Sequence, residues 1–256
     1  MNDGKGPDIV GVSEIENRTV LKDLINAMER LKRNYKIVHQ DSPSGRGIDT
    51  AIIYDADKVK LAKEQFHAVP VERKDTRDIT EAEFLLNDKP FWVFMNHWPA
   101  RSNPEENRII AAKTLRKRVD ELLEKDPKAD FLLMGDFNDY PTNDSIVKNL
   151  RAVEEKESLP AGALYNTMWP IERAKRGTYV FRNKWEIIDH IIVSPGMLDD
   201  QHLTWKVTRE SAFPYQIFTP KDDKQIPRPN RNFSGNIYHS AGISDHLPLV
   251  CIVQYR

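Results

Sequence analysis

What most constrains this chain is a recurring pattern: a short apolar run that stops at an acid, an amide or an imidazole. Val10-Gly11-Val12-Ser13 runs into Glu14, Phe94-Met95 into Asn96-His97, and Leu132-Leu133-Met134 into Gly135-Asp136-Phe137-Asn138. Ile187-Ile188 meets Asp189-His190, and Ser244-Asp245-His246-Leu247-Pro248 stands directly before Leu249-Val250-Cys251-Ile252-Val253. Short apolar runs bounded by turn residues are strand patterns. Strands that end in polar groups carry those groups to the rim of a sheet, where α/β proteins and sandwiches gather their sites. Asp136 and Asn138 are two positions apart, which in extended chain sets both on one face.

Helical periods lie between the strands. Apolar residues at 21, 24, 25, 28 and 31 predict a helix over Leu21 to Leu31. Asn103 as N-cap, Pro104 at the first helical position and Glu105-Glu106 after it predict a second helix. It carries the stripe Ile109, Ala112, Leu115, Val119 and Leu122 and runs to Glu124. Thr142 is the expected cap of a third, over Asp144 to Val153. Further strands are expected at Ile9 to Val12, Tyr35 to Val38, Asp49 to Tyr54, Val59 to Ala68, Ala82 to Leu86, Phe91 to Asn96, Phe131 to Met134, Tyr179 to Phe181, Ile187 to Val193, Leu203 to Val207 and Leu249 to Val253. The remainder of Gln201 to Asn236, rich in Pro, Asn and charge, reads as long loops. The pattern is mixed α/β without repeat or linker, so residues 1–256 are expected to form a single domain.

Composition bounds the function. Lys and Arg (38) nearly balance Asp and Glu (39), leaving a formal net charge of −1. That argues against a broad grip on nucleic-acid backbone but leaves room for a local basic groove. The single cysteine, Cys251, excludes an intrachain disulfide and reads as a buried strand residue. No apolar run approaches the roughly 18 residues of a membrane span. The expectation is a soluble protein, cytoplasmic or secreted with its signal segment absent from this chain.

The groups at the strand ends are carboxylates, amides and imidazoles. Carboxylates and amides suit Mg²⁺ or Mn²⁺. Zinc fits less well, because the histidines are scattered and no Cys-x-x-Cys or His-x-x-x-His spacing occurs. A divalent ion neutralises phosphate oxygens while an Asp–His pair handles the proton of an attacking water. A second His and an Asn can donate to the phosphorus-centred transition state. Arg46 beside a glycine loop is a candidate phosphate contact or a plain loop cation. Arg108 either reaches inward to an acid or lies on the solvated helix face. Trp98 and Trp185 are candidate walls of a substrate groove or caps on the core.

The ordered set of motifs resembles the endonuclease/exonuclease/phosphatase superfamily, with its deoxyribonuclease I-like fold. The resemblance is carried by Asp8 to Asn17, Arg46-Gly47-Ile48-Asp49-Thr50-Ala51-Ile52-Ile53-Tyr54, Asn96-His97-Trp98-Pro99, Gly135-Asp136-Phe137-Asn138-Asp139, Ile188-Asp189-His190-Ile191 and Ser244-Asp245-His246-Leu247-Pro248. It implies a four-layer α/β fold, a two-sheet sandwich flanked by helices with the site at one end. It implies a divalent-metal-dependent hydrolase of phosphate esters, an endonuclease or other phosphodiesterase. The alternatives are a small-molecule or lipid phosphodiesterase or phosphatase, of sphingomyelin or inositol phosphate type, and a non-catalytic binding protein with a degenerate site. By resemblance Glu14 binds metal and His97 contacts the scissile phosphate. Asp136 orients or activates the nucleophilic water, and Asn138 stabilises the transition state. His246 is the second catalytic histidine, with Asp245 orienting it or helping hold the metal, and Asp189 pairs with the first histidine. The resemblance also implies a further Asn-bearing strand ahead of Asp8. The chain is polar there, Asn2 is a poor substitute, and the domain is expected to be N-terminally short, with a neighbouring copy as one candidate to cover the exposed edge.

Overall fold

The structure is a computed structural model that describes residues 4–72, 76–210, 229–234, 237–240 and 242–256. In chain order the strands are β1 (Ile9–Ile15), β2 (Tyr35–His39), β3 (Asp49–Asp55), β4 (Lys60–His67), β5 (Ile79–Leu86), β6 (Lys89–His97), β7 (Phe131–Asp136), β8 (Ala152–Val153), β9 (Leu164–Asn166), β10 (Tyr179–Phe181), β11 (Lys184–Glu186), β12 (Asp189–Val193), β13 (Leu203–Glu210), β14 (Phe233–Ser234), β15 (Ile237–Tyr238) and β16 (Leu249–Tyr255). The helices are α1 (Arg18–Ala27), α2 (Glu105–Lys125) and α3 (Trp169–Arg173).

One sheet has seven strands in the order β4-β5-β6-β7-β12-β9-β8. The facing layer consists of two pieces, β1-β3-β2 and the pair β13-β16. β1 packs on β6 and β7, and β16 on β12. Strand alternation divides the side chains among layers. On β7, Phe131 and Leu133 join Phe94, Leu115 and Val119 under α2, while Leu132 and Met134 turn toward the facing layer. On β3, Ala51 and Ile53 pack with Leu21 of α1, while Ile52 and Tyr54 meet Phe84, Val93 and Met95 between the sheets. The result is the expected helix–sheet–sheet–helix sandwich. Among the described residues β1 and β16 each have one edge without a strand partner, and Leu132 and Met134 on β7 are only half-buried.

Several boundaries differ from expectation for local reasons. α1 starts earlier, at Arg18, because the Asn17 side chain accepts from the Thr19 and Val20 amides. It ends at Ala27, and the expected last turn, Glu29–Leu31, is a separate 3₁₀ turn. The Asn103 side chain donates to the Ala100 carbonyl instead of capping α2, whose cap position is Pro104. The helix expected from Asp144 to Val153 is a single π-helical turn, Ser145–Leu150, without a Thr142 cap. Its path ends where Arg151 adopts a left-handed conformation and Ala152–Val153 joins the sheet edge beside β9. Asn87 and Asp88, both at positive φ, make the two-residue turn between β5 and β6. Residues 211–228 and 235–236 of the expected loop region, and Asn2, lie outside the described residues.

Candidate active site

The register of the seven-stranded sheet sets three candidate residues in one row. His97 at the end of β6 stands opposite Asp136 on the parallel strand β7, and Asp136 stands opposite Asp189 on the antiparallel strand β12. Directly paired residues share a face. The row therefore continues the face of Val93, Met95 and Ile191, and caps one end of the inter-sheet core. His246, just ahead of β16, closes over it: Nδ1 is 2.8 Å from Asp189 Oδ2. Donor atoms of Asp136, Asp189 and His246 lie within 4.8 Å of one another.

Local backbone explains why the chain turns where the chemistry begins. Gly135 has φ of +127°, and a Cβ there would fall 2.0 Å from the Asn96 carbonyl oxygen, so only glycine lets β6 and β7 close side by side. Asn138 has φ of 52°, so it is not in extended chain as the two-residue spacing implied. It meets Asp136 by folding back. Its backbone amide donates to Asp136 Oδ1 (2.8 Å), and its side-chain amide donates to Asp136 Oδ2 and to the Trp98 carbonyl (3.1 Å each). Glu14 is the extra residue of a β-bulge between Ser13 and Ile15, with φ of 58°. The bulge swings its carboxylate outward, where Arg46 lies 3.3 Å away and both are more than half exposed.

Electrostatics differ sharply along the row. Burial and the facing Asp189 push the Asp136 carboxyl up to about 7. Burial opposes a charge on His246, but Asp189, with Asp136 and Asp245 adding, raises its imidazole to about 10. His97 is held well below the usual imidazole range by burial first and by the positive charges of Arg77, Arg46 and His246. Its Nε2 lies 3.7 Å from Asp136 Oδ2, and its Nδ1 is buried without a protein partner. Two facing carboxylates in a cross-strand pair, Asp136 buried and Asp189 half-buried, are an unfavourable arrangement that a cation relieves. Two carboxylates and an imidazole within 4.8 Å are a donor set that fits a divalent ion.

The structure redistributes several expected roles. Asp189 bonds to His246, the second histidine, and not to His97, because β12 runs beside β7 and presents Asp189 to the residue arriving before β16. The position beside His246 Nδ1 is thus taken by Asp189, while Asp245 is half-buried and acts on His246 through its charge. Neither Glu14 nor Asp245 belongs to the compact donor set. Trp98 is no groove wall. Its ring is 1% exposed, lies 4.6 Å from the Phe137 ring, and donates through Nε1 to Asn96. Trp185 pairs with buried Val180 across the β10–β11 hairpin, on the face opposite Tyr179 and Phe181. Arg108 reaches inward to Asp139 (2.8 Å). His190 is buried, contacts Asn166 and the Asp139 carbonyl, and is lowered to about 4 by burial. Cys251 is half-buried in the inter-sheet core, and burial raises its thiol to about 11.

Three residues at the site escaped the sequence reading. Arg77 is 3% exposed, donates to the Trp98 carbonyl (2.7 Å) and is lowered to about 10 by burial. Tyr179 lays its ring against His246, centroids 4.8 Å apart. Arg101 is held by Tyr140 (2.7 Å) and Glu186 (2.5 Å). The only sequence signal for Tyr179 was its place in a short alternating run; Arg77, ahead of β5, and Arg101, in the loop after β6, carried none.

Comparison with known proteins agrees with this fold. The sequence profile of the Endonuclease/Exonuclease/phosphatase family matches residues 1–255. No curated protein sequence matches. Similar solved structures include an endonuclease/exonuclease/phosphatase family protein from Bacteroides thetaiotaomicron (19% identity, 96% of this chain and 83% of that chain, TM-score 0.64). The catalytic domain of human Nocturnin with bound sulfate is 16% identical over 98% of this chain and 81% of that one, with TM-score 0.64. TDP2 from D. rerio complexed with single-strand DNA product is 17% identical over 97% and 86%, with TM-score 0.62. At these identities the structural likeness speaks for the fold. Among the described residues no helix is long and apolar enough to cross a membrane. With the family profile matching residues 1–255 and the sandwich reproduced, the chain belongs to the endonuclease/exonuclease/phosphatase family of phosphoester hydrolases.

Proposed function

We propose that the chain is a divalent-metal-dependent phosphodiesterase that attacks with water and forms no covalent enzyme intermediate. The observation that carries this reading is the His97–Asp136–Asp189 row closed by His246. Asp189 engages Nδ1 of His246 and so leaves Nε2 as the nitrogen presented to a phosphate oxygen. Asp136, fixed through both oxygens by Asn138, is the carboxylate that orients the water and takes its proton. Asn138 spends its side-chain amide on Asp136 and Trp98, so its contribution is to hold Asp136 in place. His97 donates from the other side of Asp136 toward the charged oxygens. Arg77 and Arg46 add positive charge at the same end of the sandwich.

The carboxylates of Asp136 and Asp189, with Glu14 on its bulge outside the compact set, are the groups that would hold Mg²⁺ or Mn²⁺. When bound, the ion neutralises phosphate oxygens and assists the attack. Because the candidate residues run from 14 to 246, residues 1–256 act as one catalytic unit. The near-neutral net charge keeps small phosphodiesters and phosphomonoesters beside nucleic acid as substrates. The edges of β1 and β16 that have no strand partner among the described residues make self-association by strand pairing a further expectation, which sedimentation at rising concentration tests.

The test is hydrolysis of plasmid DNA, abasic duplex, RNA, sphingomyelin and inositol phosphates with Mg²⁺, Mn²⁺ or Ca²⁺. Expected is turnover of at least one ester, abolished by chelation and lowered at least about a hundred-fold in His246→Ala. Turnover that survives both chelation and His246→Ala would overturn the reading.

A further inference from the structure

The β10–β11 hairpin stands beside His246 and carries more than the catalytic chemistry needs. Its register pairs Tyr179 with Glu186, Val180 with Trp185, and Phe181 with Lys184. Tyr179 and Phe181 therefore share one face, with Val180 and Trp185 on the other. On the first face a chain of flat groups leads outward. The Tyr179 ring lies against the His246 imidazole at 4.8 Å. The Arg101 guanidinium lies 6.0 Å from the centre of the Tyr179 ring and 5.6 Å from that of Phe181. Arg182 lies 5.1 Å from the Phe181 ring. Phe181 is 43% exposed, so its ring is open to a ligand.

The parts of this face are built, not incidental. Arg101 is fixed by Tyr140 and Glu186, and Tyr140 itself donates to Glu186 (2.6 Å). The face begins at the imidazole assigned to the phosphate and ends at an exposed ring flanked by two guanidinium groups. Aromatic rings and guanidinium planes stack on bases, and the same cations attract backbone phosphates. The two guanidinium groups beside the Phe181 ring would repel a quaternary-ammonium headgroup, and an inositol or sugar ring lacks the π-face on which a guanidinium plane stacks.

We propose that Tyr179 and Phe181, with Arg101 and Arg182, form a stacking platform for the nucleotide next to the scissile phosphate, so that the substrate is single-stranded nucleic acid. The proposal rests on the phosphodiesterase reading for its location and adds the substrate class. Phe181 is the specificity-determining residue that can be changed without touching the row at Asp136.

Binding is measured by fluorescence anisotropy in the presence of chelator, so that turnover is not required. The probes are a labelled deoxythymidine decamer and an abasic decamer with the same backbone charge. Expected is about ten-fold tighter binding of the base-bearing strand by the wild-type protein. Phe181→Ala removes the preference while leaving binding of the abasic strand unchanged, and Phe181→Trp restores it. Circular dichroism confirms that each variant folds. Equal binding of the two strands by the wild-type protein, or an undiminished preference in Phe181→Ala, overturns the platform. The two readings fail separately. A base preference without hydrolysis under any metal sinks only the enzymatic reading, and hydrolysis without base preference sinks only the platform.

Discussion

In the seven-stranded layer, β6, β7 and β12 are paired on both sides, and His97, Asp136 and Asp189 take their positions from that pairing. In the facing layer, β1 and β16 are each paired on one side among the described residues, and Glu14 and His246 belong to their ends. The core under α2 is closed, with Phe131, Leu133 and Ile192 fully buried. The β16 side leaves Ile252 44% exposed. The difference teaches where precision is demanded. In the proposed mechanism the proton acceptor Asp136 stands on a fully paired strand, which fixes its place beside His97 and Asp189, while Glu14 and Tyr179 stand on a bulge and a hairpin, where the backbone is less constrained.

The sharpest way to break this contrast is at the row itself. Asp136→Asn is expected to lower turnover about a thousand-fold with the fold retained, read by steady-state hydrolysis beside circular dichroism. Turnover within ten-fold of wild type would move the proton acceptor elsewhere. Next in size is Ile192→Ala, which opens a cavity in the closed core and is expected to cost about 3 kcal/mol in urea unfolding.

The closed layer also predicts its own acid sensitivity. Glu81 on β5 is buried and bonded to His67 (2.5 Å) and Arg118 of α2 (2.8 Å). Burial works against its charge, but these bonds outweigh it and hold the carboxyl below the usual range. A lowered carboxyl contributes stability that is present above the unfolded value, about 4.3, and is lost as pH falls through the folded one. Urea midpoints measured from pH 7 to pH 3 should therefore fall at the acid end, and fall less in Glu81→Gln, which itself costs about 2 kcal/mol at pH 7. An identical acid profile in both proteins would remove Glu81 from the account.

The open layer should respond weakly. Arg46→Ala, removing an exposed partner of Glu14, is expected to raise KM several-fold with kcat nearly unchanged. Ile252→Ala should change the urea midpoint by less than about 0.5 kcal/mol. A cost as large as that of Ile192→Ala would show that the outer face of β16 is covered in solution.

Much of this was legible in the chain. The row residues could be singled out because each follows an apolar run and belongs to an ordered set of motifs; alone, each would have read as a structural strand-end group. The four-layer fold followed from the ordered motifs. The two tryptophans were less legible. Trp98 follows His97 directly, yet it turns under the sheet to Phe137, and Trp185 is one register step from the face that meets His246. A one-residue shift along a strand reverses the face of every side chain, and composition cannot fix that shift.

By itself the sequence determined that carboxylates, amides and imidazoles would stand at strand ends, because apolar runs and the residues that stop them are local. Only the tertiary structure decided which groups meet. It gave Asp189 to His246, bound Asn138 to Asp136, brought Arg77 from an unremarked segment to the Trp98 carbonyl, and set Tyr179 against His246. Those contacts depend on strand register, on the bulge at Glu14 and on loop paths spanning up to 67 positions, as between Tyr179 and His246. Forces acting at such separations are settled by packing of the whole sandwich and leave no trace in a short window of sequence.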